Sequence, residues 1–143
     1  MRKKFEPIGD KDALMAEAKR YLLNGKQTIA KSPLSKSGET YLDAKYVREG
    51  SGIAYLAALK AIDAYLVGRG VAPDQLPKSI EEYWAARKKI PHNGKFTEKF
   101  TLAYQNLHIG AYYQGLVSVQ VVKEGLNAAR DLIEMLEGRP KKS

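Results

Sequence analysis

The stretch "GSGIAYLAALKAIDAYLVG", residues 50–68, decides the fold. Its small residues (Gly50, Ser51, Gly52, Ala54, Ala57, Ala58 and Ala61) recur at spacings that gather them on one side of a helix. Small side chains let helix axes approach closely, so this segment reads as the central helix of a bundle. We place that helix from about Thr40 to Val67, with Gly68 and Gly70 ending it. Its inward face is Val47, Gly50, Ala54, Ala57, Ala61 and Tyr65, with Ile53, Leu56 and Ile62 beside it.

Four more helical segments flank it, and no stretch has the alternation of a strand. The first runs from about Lys11 to Lys31, with Asp10 as the acceptor for its first-turn amides. Leu14, Ala18, Leu22, Gly25 and Ile29 form its apolar stripe, and Gly25 marks close packing against a neighbour. "SPLSKSGE" breaks the chain at Pro33. A short third helix starts at Ser79, whose spacing to Glu82 is that of a capping box, and ends near Lys89, ahead of Pro91. The fourth begins near Thr97, carries Phe100, Tyr104, Leu107 and Ala111 inward, and bends or breaks at Gly115. The fifth runs from Ser118 to Glu137 on the stripe Val122, Leu126, Ala129, Ile133 and Leu136, with Gly138 and Pro140 to end it. Amphipathic helices with short connectors predict an all-α fold: an antiparallel up-and-down bundle of four main helices plus one short helix. The 143 residues suit a single domain, 1–143, with 1–9 and 139–143 as flexible tails.

Composition excludes several chemistries. With no cysteine there is no disulfide, no thiolate metal site and no thiol nucleophile, and a cytoplasmic location is expected. The opening "MRKKFEPIGDKD" lacks the apolar run of a signal peptide. The apolar stretches "AYLAALKAIDAYLVG" and "IGAYYQGLVSVQVV" are interrupted by Lys, Asp, Gly or Gln, so no membrane segment is expected. No carboxylate stands three residues before either His92 or His108, so neither a metal site nor any other cofactor is expected. The net charge of +8 favours acidic partners, and its middle concentration, "RKKIPHNGK", makes Arg87, Lys88, Lys89, Lys95 and Lys99 candidates for nucleic-acid binding.

Arg87 and His92 are separated by four residues, the spacing with which helical ribonucleases set a phosphate-holding Arg beside a proton-transferring His. Pro91 disfavours helical geometry at Ile90, and Asn93-Gly94 reads as a turn, so this pair lies in a connector instead of sharing a helix.

"YLDAKYVREGSGIAYLAALKAIDAYL", "SIEEY" and "LHIGAYYQG" followed by "SVQVVKEGL" resemble a small bacterial family of helical domains of unknown function, from about Lys11 to Leu136. The alanine- and tyrosine-rich helix and the final pair of helices also resemble, more distantly, the HEPN superfamily. That resemblance implies a helical bundle, often a homodimer, whose active members are metal-independent ribonucleases and often toxins with a partner encoded nearby. In its register His108 takes the place of the catalytic His and Tyr112 or Tyr113 that of the following tyrosine. The Arg belongs five to seven positions earlier, where this chain has Ala103, Leu102 and Thr101.

Three functions follow as expectations. The first is a non-catalytic HEPN-like bundle that acts by binding and self-association. The second is a ribonuclease or nucleotide-modifying enzyme built on His108, Tyr112 and Tyr113, with a basic group from elsewhere such as Arg48 or Arg87. The third is a basic nucleic-acid-binding module without chemistry.

Overall fold

Residues 10–138 are described by a computed structural model of the chain. The expected flexible tails, 1–9 and 139–143, and Pro140 with them, lie outside the described residues. Five helices make up the regular structure: α1 (Lys11–Ile29), α2 (Ala44–Gly68), α3 (Ile80–Ala85), α4 (Asn93–Ala103) and α5 (Val119–Leu136). A 3₁₀ turn, Ala86–Lys89, prolongs α3, and a π-helical segment, Tyr104–Tyr113, prolongs α4. Among the described residues the only strand-like pairings are the isolated bridges Leu34–Tyr41 and Thr40–Ser118. The fold is therefore all-α.

α1 and α2 pack most intimately. A Cβ built on Gly25 would stand 2.6 Å from the Gly50 carbonyl oxygen, and one on Gly50 would stand 2.5 Å from that of Gly25. The two backbones are in contact, and only glycine fits on either side. Gly68 packs against Lys11 at the far end, so the helices run in opposite directions. α4 with its π extension opposes α5 in the same sense: Lys99 pairs with Asp131, and the Asn106 amide donates to the Val121 carbonyl at 2.9 Å. α2 lies against α1, α5 and the π segment. Its buried arc contributes alanines, while Phe96, Phe100, Leu107, Leu132 and Ile62 fill the remaining core volume.

Each departure from the expected boundaries has a local cause. α1 stops at Ile29 because the Lys31 and Ser32 amides turn back to Thr28 and Ile29 ahead of Pro33. α2 starts at Ala44, not Thr40. Residues 40–42 are engaged elsewhere: Thr40 bridges Ser118, the Tyr41 amide donates to Val117 and that of Leu42 to Pro33. Asp43 then becomes the cap, accepting from the Lys45 amide at 3.1 Å. The Ser79 cap is present, with the Glu82 amide donating to Ser79 Oγ at 3.2 Å, although the Glu82 carboxylate reaches the amide of Lys78 instead of Ser79.

α4 begins at Asn93, not Thr97. The left-handed conformation (φ 55°) is taken by His92, so Asn93 and Gly94 form the first helical turn, not the loop turn expected of them. At its other end the helix does not simply bend at Gly115. It widens at Tyr104 into i→i+5 hydrogen bonding, as in the Gln114 amide to Ile109 carbonyl bond of 2.9 Å, and stops at Gly115, whose φ is +74°.

Two expectations about faces change. Leu56, placed beside the inward face, is 46% exposed, and Tyr65 is half-buried. By length and composition α2 does reach the range of a membrane-crossing helix, and 56% of that apolar stretch is buried within the protein.

Gly50→Ala should destabilise the protein by about 1–3 kcal/mol although alanine is the better helix former, because the added methyl must push α1 away. Urea unfolding monitored by circular dichroism measures this; an unchanged midpoint would show that the glycine contact is not needed.

Candidate functional site

One face of α2 carries Arg48, Gly52 and Tyr55 at four- and three-residue steps, and it looks onto the π segment. There Tyr104, His108 and Tyr112 follow one another at four-residue steps. Their rings form a continuous column: His108 to Tyr112 at 5.8 Å between centroids and Tyr104 to His108 at 5.5 Å. Tyr55 of α2 closes the column from the side, stacking on His108 at 4.7 Å. Gly52 leaves room for the Tyr112 ring, since a Cβ there would sit 3.1 Å from Tyr112 Cδ1. The sequence produces this arrangement by leaving a gap on α2 where the π segment presents its largest side chains.

His108 sits half-buried in this column and makes no side-chain hydrogen bond among the described residues. Burial holds its imidazole below the usual histidine range, so the ring is neutral near neutral pH. Burial, and then Tyr104, push the Tyr55 hydroxyl above the ordinary tyrosine range. It is therefore a protonated donor at neutral pH.

Arg48 joins this site through space. Its Nη1 donates to the Tyr112 carbonyl at 3.4 Å, and its guanidinium occupies the space beside Gly115 that a side chain would need. It thus faces the negative end of the long α4–π helix. Among the described residues it has no carboxylate partner. Tyr112 and Tyr113, at 45% and 72% exposed, bring the site to the surface.

The other candidates do not converge here. His92 is exposed at the head of α4, and Arg87 turns its guanidinium back to the Trp84 carbonyl at 2.8 Å. The two fall on different elements, Arg87 in the 3₁₀ turn and His92 at the cap of α4, so they do not share a helix. Lys99 is paired with Asp131 at 3.1 Å, which leaves Lys88, Lys89 and Lys95 as the exposed part of the basic group. Lys95 precedes His108 by thirteen residues on the same helix, about 20 Å along the axis. Among the described residues no cluster of three or more His, Asp or Glu is arranged to hold a metal.

Sequence reasoning missed a second polar element. Asp63 of α2 accepts from the Tyr83 hydroxyl of α3 at 3.0 Å. Burial pushes the Asp63 carboxyl up to about 6, against the lowering effects of the Tyr83 hydroxyl and Lys60. The clue available beforehand was the single Asp within α2, set between Ile62 and Ala64 in its most apolar stretch.

Residues 13–138 match the family described as "Domain of unknown function (DUF5618)", and the chain belongs to that family. Among solved structures it is similar to a protein of unknown function from Dyadobacter fermentans, at 29% identity and a TM-score of 0.73, covering 90% of this chain and 96% of that one. No curated protein matches.

The raised Asp63 has a thermodynamic consequence. The folded state holds this proton more tightly than the unfolded chain, whose carboxyl titrates near 3.8. Its stabilising contribution is complete below that value and is lost as pH rises through about 6. With allowance for partial solvent access, the loss should be about 1 kcal/mol. Thermal unfolding between pH 4 and 7.5 should therefore show Asp63→Asn gaining on the wild type as pH rises; parallel curves would refute the assignment.

Proposed function

We propose that this member of the DUF5618 family is a HEPN-like up-and-down bundle of four main helices that works by binding, without catalysis, and self-associates as a homodimer. The observation that carries the reading is the exposed apolar surface around α2 and the π segment. Leu56, Tyr112, Tyr113 and Leu116 are all at least 43% exposed, and Gly52 and the Tyr112 ring join the two elements. Large apolar side chains gathered at one place on a surface mark an interaction site. The HEPN resemblance, which rests on the sequence, supports the dimer. The lack of cysteine suits a reducing cytoplasm. Light scattering coupled to size exclusion should give twice the 15.9 kDa chain mass at micromolar concentration. A monomer at every concentration would overturn the reading.

A second reading is favoured by Arg48. The HEPN register lacks an Arg before His108, and α2 supplies one from another element, beside the tyrosine that follows that histidine. An Arg to hold a phosphate and a neutral His to take a proton are the groups that 2′-hydroxyl attack requires. If the chain cleaves RNA, both His108→Ala and Arg48→Ala should lower the rate by about a hundredfold or more. No cleavage by the wild type, or equal cleavage by the variants, removes this reading and leaves binding.

A further inference from the structure

The outward face of α2 has a pattern of its own. Glu49, Ile53, Leu56 and Lys60 follow one another at steps of four, three and four residues, the a/d spacing of a helix–helix seam. They lie opposite the buried small-residue arc. Leu56 is 46% exposed, Ile53 is half-buried and Glu49 is exposed. Leu56 keeps nearly half of its surface open, although α2 is the most apolar of the five helices.

The charges at the two ends of this seam are not equivalent. Lys60 bonds Glu17 of α1 at 3.1 Å, but that carboxylate also serves Arg20 at 3.3 Å. Glu17 is thus shared between two cations, and Asp63, one turn along α2, also feels the Lys60 charge. At the other end Glu49 has no basic side chain within ion-pair distance among the described residues.

We infer that the seam is a two-fold interface, in which a second copy lays its own α2 antiparallel across this one. The orientation follows from the charges. A parallel pair would set Glu49 against Glu49 and Lys60 against Lys60. An antiparallel pair centred between Ile53 and Leu56 sets Ile53 against Leu56 of the second copy and Glu49 against Lys60 of the second copy, each contact made twice by symmetry. Apolar side chains then fill the middle, and opposite charges close both ends, which fixes register as well as orientation. The Tyr21 ring, over which Lys60 lies at 5.2 Å, flanks the seam. This inference rests on the proposal of self-association and adds which surface mediates it.

Charge exchange tests it. Glu49→Lys and Lys60→Glu variants, each checked for an unchanged circular dichroism spectrum, should each dimerise at least about tenfold more weakly than the wild type. An equimolar mixture should recover wild-type affinity, because both ion pairs re-form only in the heterodimer. Since the chain has no native cysteine, an Ile53→Cys, Leu56→Cys double variant should oxidise to a covalent dimer. A monomeric wild type would overturn self-association itself. A dimeric wild type whose affinity is untouched by either charge variant, with no covalent dimer, would overturn only the α2 seam and move the interface to the Tyr113–Leu116 corner.

Discussion

The backbone contact between Gly25 and Gly50 is the constraint on which the rest depends. With α1 and α2 touching through bare backbone, α2 is drawn to the middle of the molecule, and even a methyl at Gly50 would clash. The arc is accordingly made of Gly50, Ser51, Ala54, Ala57, Ala58 and Ala61, all buried. Such an arc supplies little apolar volume. The bulk must come from the opposing elements, and Phe96, Phe100 and Leu107 of α4 and its π extension supply it. Gly125 of α5 repeats the device on the other side, leaving room for Leu107. A helix poor in volume thus determines where the bulky residues of its neighbours must stand.

The helices were legible because their periodicity reports burial directly. Leu14, Ala18, Leu22, Gly25 and Ile29 are all buried, as are Val122, Ala129, Ile133 and Leu136. What the sequence could not show were the places where backbone groups distant in sequence compete for one another. Thr40 looks like a helix start until Ser118 bridges it, and Asn93-Gly94 looks like a turn until His92 takes the left-handed conformation. The π segment was also hidden. Its i→i+5 bonding is set by packing against α2 and α5, and a local apolar period of three or four residues does not distinguish it from an ordinary helix.

The candidate site was half legible for the same reason. The sequence pointed to His108, Tyr112 and Tyr113, and the structure gathers His108 and Tyr112 with Tyr104 on one column of rings. Tyr55, which the sequence did not single out for this site, and Arg48, one of two basic groups it offered, come from a helix more than fifty residues earlier. Their common face was readable on α2. Which element that face would meet was not, because it depends on how α4 docks. Conversely Arg87 and His92, adjacent by spacing, fall on different elements, and the left-handed conformation falls on the histidine itself.

α2 therefore answers to two demands at once. Its inner arc is fixed by the glycine contact, where even a methyl would clash. Its outer face is free of that constraint. Yet Ile53 and Leu56 occupy it, with exposed Tyr112 beside them. Burying a side chain of this size stabilises an assembly by about 1.5–3 kcal/mol when it is complete. Within the single chain Leu56 realises only about half of that, since it stands 46% open. Neither Ile53 nor Leu56 belongs to the packed core clusters. The fold explains why α2 is small on one side, and on the other side it leaves Leu56 nearly half open.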